Sequence, residues 1–469
     1  MPSATSSNVS HMAQVSLDFI VVGGSIAGLA TAYALREAGH NVLVIERTDG
    51  SSRSKGGLRS PPNMTKILSQ WGLGPALAKI SHKCTSFKMR NGGSGEYIGA
   101  IRMTDSFLLY LLADFLFMQH GHLHTLLYDV AKEAGARFLF NTEVTGADPI
   151  EGTVTLRGGD VVKADVIVAA DGHDSIMRPL VTNEEESVDG LPGQRYLSLA
   201  FQVPTDALQE DEELASLTDP LVWYLWVGDG YIFHGNLVVV GGQDFTVNLV
   251  SKYYSPLNEG DDQWQHRALD EFQLDYSKFE PRILKLLKLA KNVAGRVYHT
   301  WPTVDSIVCE NSRIVLVGEA GHPLVPGSRH STALSIEDAQ TMGRLFSHIQ
   351  NKNQLPQFLN AYEEIRQPRV SATQEYEQRQ FGMFSAPAGP PMIQRDAMMR
   401  AALAYEDWEH MDEDTFKMVW GNELALMGHD AGEQVDDWWT QWRSFFEGKE
   451  RARQRDSIQI PVLQPASYD

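Results

Sequence analysis

FIVVGGSIAGLATAYALREAGHNVLVIER, residues 19–47, decides the fold. Residues 19–22 are a short apolar run, the composition of a strand covered on both faces. Gly23-Gly24-Ser25-Ile26-Ala27-Gly28 follows as a glycine-rich turn. Leu29, Ala32 and Leu35 then recur at helical spacing, and Gly39 stops the helix. Residues 42–45 form a second apolar strand that ends at Glu46-Arg47. The stretch is a βαβ unit whose glycine turn lies at the first strand-to-helix junction. Gly23 permits the tight turn, and Gly28 lets helix and strand pack closely. The backbone of Ser25, Ile26 and Ala27 opens the helix, so its free N–H groups and partial positive charge face a pyrophosphate. Glu46 can accept hydrogen bonds from the two hydroxyls of an adenosine ribose. Ser25 stands where a second glycine is expected. A dinucleotide is the expected ligand.

Composition bounds the rest. Lys and Arg number 40 against 60 Asp and Glu, a formal charge of −20. That balance argues against nucleic acid and anionic membrane surfaces as partners. The acidic runs 184–186 and 210–213 read as solvated loops. Cys84 and Cys309 are the two cysteines, which excludes a disulfide framework and a cysteine-based metal site. A reducing, cytoplasmic compartment and no metal are expected. Residues 1–15 read as a disordered tail without the apolar core of a secretory signal. No apolar run approaches the ~20 residues that span a bilayer; residues 107–117 are interrupted by Asp114 and read as a buried segment or a channel wall.

Further along, periodicity predicts helices over 64–72, 120–135, 270–291 and 356–380, a hairpin over 153–163 and buried strands at 165–169 and 313–317. Residues 84–103 read as an excursion of strands. Residues 191–250 read as antiparallel β, rich in aromatics. Residues 385–392 form a Pro-rich break. These textures divide the chain. Residues 16–90, 116–183 and 292–355 would form the nucleotide domain, 91–115 and 184–291 a β domain, and 356–469 a helical C-terminal region.

Two later motifs narrow the ligand. Ala170-Asp171-Gly172 follows a buried strand, with Ser175 able to cap the next turn and Arg178 placed for an ion pair or a phosphate. Gly318-Glu319-Ala320-Gly321-His322-Pro323, then Pro326, follows another. Glu319 can bind a polyol. A helix starting near Ser331-Thr332 would aim its N-terminus at the N1/C2=O edge of an isoalloxazine, which becomes anionic on reduction.

Together these motifs resemble the single-component FAD-dependent aromatic monooxygenases of the salicylate hydroxylase and 4-hydroxybenzoate hydroxylase type, over roughly residues 16–370. The fold this implies is α/β: a discontinuous Rossmann-like FAD-binding domain of the GR2 type, an antiparallel β-sheet substrate domain and a helical C-terminal extension. The resemblance gives Gly23, Gly28 and Glu46 to the ADP half of FAD and Asp171 to the pyrophosphate. It gives Gly318 and Glu319 to the ribityl chain, and His322, Pro323 and Pro326 to the flavin's reactive face. Three departures stand out. Glu319 replaces Asp and reaches ~1.5 Å further, one C–C bond. Ser331 takes a glycine position. His120 occupies the place of a phosphate-holding arginine, for which Arg53 or Arg59 could substitute.

The implied reaction consumes NADH or NADPH and O2. It inserts one oxygen atom into a phenol or hydroxybenzoate through a C4a-hydroperoxyflavin, with or without loss of a carboxylate. A phenol needs a proton acceptor. His234, Tyr224 and Tyr231 are the candidates, with His299 a further one. Trp223, Trp226 and Arg195 are candidates for substrate contact, Arg195 toward a carboxylate. Trp408, Trp420, Trp438, Trp439 and Trp442 would pack the tail onto the body or onto a second copy in a homodimer. The alternatives are epoxidation or oxidative rearrangement of a natural product, and a flavoprotein kept as a binding module. A halogenase would need a Trp-x-Trp-x-Ile-Pro stretch, which residues 223–228 do not supply.

Overall fold

The computed structural model describes residues 12–51, 56–103, 108, 111–182, 194–240, 244–257, 260–301, 303–310, 313–404 and 412–442. Strand β1 (Asp18–Val22) is the middle of a five-stranded parallel sheet, in the order Ile314–Leu316, Val166–Ala169, β1, Asn41–Ile45, Arg137–Leu139. The central strands are covered by helices and by a three-stranded antiparallel sheet (residues 144–163) whose Val144 and Val154 join the same core, which is why those strands are near-continuously apolar rather than alternating. Helix α1 (Ile26–Glu37) packs against α2 (His120–Glu133) and α3 (Ser331–Phe346).

A second sheet has eight strands: Gln265–Arg267, Val293–His299, Arg195–Pro204, Asp244–Tyr253, β3 (Tyr231–Val238), β2 (Val222–Val227), Ser86–Asn91 and Tyr97–Arg102. It is antiparallel except where β2 runs parallel to Ser86–Asn91, because that strand enters from a distant part of the chain. Ser86–Asn91 and Val293–His299 lie in this sheet, so the expected borders at 91 and 292 fall too late and too early. The alternating burial of Val293–His299 is that of a half-covered strand, not of the parallel sheet.

The helix expected over 270–291 is broken into turns at Leu269–Phe272 and Tyr276–Lys278 and a helix at Pro281–Leu289. Gln273 at φ +53° and Pro281 at the helix start force the breaks. Helix α4 (Leu355–Phe384) runs on past 380, and the next helix starts at Pro390, which shortens the Pro-rich break. Helix α5 (Glu413–Met427) follows. Trp438 and Trp439 pack on the core of the parallel sheet, as expected of the tail, while Trp408 and Arg53 lie outside the described residues. Among the described residues no helix is long and apolar enough to cross a membrane.

Candidate active site

The three distant turns converge. Gly23, at φ +107°, lies so close to the second motif that a Cβ there would sit 2.3 Å from the Ala170 carbonyl oxygen. A Cβ on Gly318, at φ +61°, would sit 2.7 Å from the Ala27 Cβ. Arg178 ties the second turn to the third: it donates to the carbonyls of His173 (2.9 Å), Glu319 (3.0 Å) and Ala320 (2.8 Å). The sequence offered it an ion pair or a phosphate; here its guanidinium fastens two loops together.

The groups at these turns are of the kind that meet a dinucleotide's phosphates and hydroxyls. Ser25 caps α1 without a side-chain bond, and no acidic residue occupies the first turn, so the positive helix end is left for an anion. Glu46 accepts from the Gly24 amide (2.7 Å) and from the Thr48 amide (2.8 Å) and hydroxyl (2.7 Å), which fixes its carboxylate at the end of its strand, with acceptor capacity to spare for a ribose. Arg47 beside it is exposed. Asp171 accepts from the Ile176 amide (2.9 Å), its other oxygen is buried without a partner, and burial pushes its carboxyl above the usual range. Glu319 is half-buried with the Ser331 hydroxyl 3.5 Å away, and burial raises its carboxyl too. Thr332 stands beside Ser331 in the first turn of α3.

Several expectations need correction. His120 cannot replace an arginine's charge. Burial, then the neighbouring His124, lowers its pKa to about 4, and its Nδ1 has no partner. His124, which the sequence reading passed over, donates from Nε2 to the Gly24 carbonyl (2.9 Å) and clamps α2 to the glycine turn. His322 is buried and turned onto Asp338 (2.6 Å) rather than toward an open face. Arg59 lies at the β domain, not on the glycine turn. Its Nη1 is 3.0 Å from His234 Nδ1, its Nη2 is 3.3 Å from the Gly327 carbonyl, and its Cζ is 4.7 Å above the Trp223 ring.

A cavity of ≈ 420 Å³ opens between the eight-stranded sheet, the loop after the third motif and α4. Trp223, Leu225, Ile232 and His234 form its sheet wall, residues 325–329 its loop wall, and Glu377, Gln380, Phe381 and Phe384 its helix wall. Side-chain alternation on β2 turns the neighbouring residues away. Tyr224 bonds the Ser216 carbonyl (2.9 Å), Trp226 the Glu280 carboxylate (2.6 Å) and Tyr231 the Lys278 carbonyl (3.0 Å), all in the core on the opposite face. Tyr224 and Tyr231 are therefore not placed for catalysis, nor Trp226 for substrate. Arg195 sits over Tyr253 at a strand end and lines no cavity described here. Pro323 lines a neighbouring space with Tyr196, His299 and Trp301, and Val325 and Pro326 line both spaces.

His234 is the expected candidate that reaches the main cavity. Arginine only donates, and its Nη1 lies 3.0 Å from Nδ1 and 3.4 Å from Nε2, so Arg59 takes up the lone pair of the His234 ring. Burial, then Arg59, holds its pKa well below 6.5, so it is neutral near pH 7. Arg59 itself is lowered by burial to about 10 and keeps its charge.

Residues 16–219 match the family described as FAD binding domain. The chain is similar to FAD-dependent monooxygenase OpS4 of Beauveria bassiana, 28% identical over 88% of this chain and 95% of that protein. It is also similar to hispidin-3-hydroxylase of Neonothopanus nambi, 27% identical over 78% of this chain and 89% of that one. A salicylate hydroxylase substrate complex shares the fold, with a TM-score of 0.69, 19% identity and coverage of 90% and 97%.

Proposed function

We propose that the chain is an FAD-dependent monooxygenase that inserts one oxygen atom into an electron-rich hydroxylated ring seated in the sheet cavity. Bound FAD, reduced by NADH or NADPH, would activate O2 and supply that atom. The α1 N-terminus would hold the pyrophosphate, Glu46 the adenosine ribose and Glu319 the ribityl hydroxyls. Trp223, Leu225 and Phe381 give the ring an apolar seat and exclude water. Arg59 offers a donor at one end, beside the His234 ring.

The observation that carries this reading is the position of the cavity. It lies between the aromatic face of the sheet and residues 325–329, the loop that continues from the third cofactor turn. Names such as hispidin-3-hydroxylase and salicylate hydroxylase support ring hydroxylation. The test is NAD(P)H oxidation by the flavin-loaded protein across phenols and hydroxybenzoates under 18O2, with product mass measured. Stimulated turnover and one heavy oxygen per product are expected; a carboxylate lost at the labelled carbon would mark decarboxylative hydroxylation. The alternative reading is epoxidation or oxidative rearrangement of a natural product on the same flavin. Turnover by no phenol in the panel would favour it.

A further inference from the structure

We propose that Glu377, on α4, is the proton acceptor for the substrate's hydroxyl group, and that the cavity takes its ring substrate as the neutral phenol. The proposal rests on the hydroxylase reading above. Glu377 lines the cavity and is 6% exposed. Its Oε1 accepts from the backbone amides of Arg329 (3.1 Å) and His330 (3.3 Å), which fixes the carboxylate. Oε2 has no partner among the described residues. Burial leads the effects that raise its pKa, so it is a stronger base than an ordinary carboxylate.

The groups packed around it leave no rival. From the loop, Arg329 is engaged by Glu423 of α5 (3.0 Å), and His330, made a weak base by burial and then by Arg329, is not among the residues that line the cavity. From its own helix, Tyr376 is bonded to Glu423 and raised by burial, and Gln380 does not titrate. From β3, His234 has its lone pair occupied by Arg59. Arg59, from Gly57–Ser60, is a cation. Glu423 also has a bare oxygen, but it is buried and does not line the cavity, whereas Glu377 does; an anionic ligand beside Glu377 would be repelled.

In the step proposed, the substrate O–H bond breaks and its proton forms an O–H bond with Glu377 Oε2. The electron pair stays on the substrate oxygen and raises electron density at the ortho and para carbons. One of these takes the oxygen atom that the monooxygenase reaction already supplies from O2, and the proton on that carbon is lost to solvent as the ring regains aromaticity.

The test compares the flavin-loaded wild type with Glu377→Gln and Glu377→Asp. Gln keeps an acceptor for the two amides and removes the base, and retained flavin absorbance checks that the site has folded. At pH 7, kcat/KM for a weakly acidic phenol should fall ~10²–10⁴-fold in Glu377→Gln. The deficit should shrink as pH passes the phenol's own pKa, or with fluorinated phenols already ionised at pH 7. Glu377→Asp should keep the acid limb of the pH profile. With 4-nitrophenol as a binding probe below its pKa, wild type should move the absorption toward that of the phenolate and Glu377→Gln should not. An equal deficit at every pH and for every phenol, an Asp variant no better than Gln, or equal 4-nitrophenol spectra in wild type and Glu377→Gln overturns the role of Glu377 alone. A wild type that neither perturbs 4-nitrophenol nor turns over any phenol overturns the hydroxylase reading itself.

Discussion

Helices α3 and α4 enclose buried charges in two places, and the contrast between them separates framework from site. In the first, Glu337 accepts from Asn63 (2.8 Å), Arg366 (3.0 Å) and Arg369 (2.7 and 3.0 Å). Asp338 accepts from the Gly318 amide (2.8 Å), His322 (2.6 Å) and Arg366 (2.8 Å). Every carboxylate oxygen there is used, and Arg366 donates from all three nitrogens. In the second, further along α4, one oxygen of Glu423 and both ring nitrogens of His330 are buried without partners. Buried charge is costly unless its hydrogen bonds are complete. At the first, fully bonded carboxylates hold the helices together, even with Asn63 Oδ1 and His322 Nδ1 left bare; at the second, the carboxylate that faces the cavity is Glu377, while the bare atoms of Glu423 and His330 stay buried.

The largest effect should come from breaking the saturated cluster. Arg366→Ala leaves two buried carboxylates short of a cation and should cost ~3–5 kcal/mol, read from the shift of a denaturant midpoint. It should also loosen FAD, because Asp338 holds the Gly318 amide at the third turn. At the open cluster, Glu423→Gln should cost less, ~1–3 kcal/mol, since it weakens charge-assisted bonds to Arg329 and Tyr376 but keeps an acceptor. A Glu423 loss as large as that of Arg366 would erase the distinction.

The two clusters should also answer pH with opposite signs. Burial raises the Glu337 and Asp338 carboxyls, but the arginines and His322 outweigh it and hold both below the usual range. Their contribution is present above the unfolded carboxylate range of ~4 and is lost as pH falls through the folded values. Glu377 is raised, so its contribution is greatest below the unfolded value and is lost as pH climbs through the folded one. The Tm of Glu377→Gln minus that of wild type should therefore be more positive at pH 8 than at pH 4.5. A difference that shrinks with rising pH would contradict the raised value.

Legibility in the sequence follows the same division. The three turns were readable because the requirement is local: only glycine tolerates the backbone at Gly23 and Gly318, and each turn follows an apolar strand. The alternation of residues 223–226 was readable as two faces, but which face meets the helix at Pro281–Leu289 depends on a segment far along the chain. Arg59 was misplaced because Gly57–Ser60 is pressed against the β domain; a Cβ on Gly57 would lie 2.4 Å from the Thr246 hydroxyl. His124 was findable, one helical turn after His120 on the same face. Glu377 was not: a glutamate in a charged helix reads as solvent-facing, and its burial comes from the Arg329 loop that packs across it.

The smallest effect serves as the control for burial. Arg344 on α3 pairs with Asp436 of the C-terminal region, and both side chains are nearly half exposed, 42% and 46%. The charges are of the same kind as at Arg366, but water screens them and two long side chains must be held in place, so Arg344→Ala should change stability by only ~0.2–1 kcal/mol. At 1 M NaCl, where the Debye length is ~3 Å, that difference should vanish, while the Arg366→Ala deficit should persist because its partners lie beyond the reach of ions. Denaturant midpoints for both variants at low and high salt measure this directly. If salt also erased the Arg366→Ala deficit, its site would have to be hydrated, and the argument from saturated burial at α3 and α4 would fail.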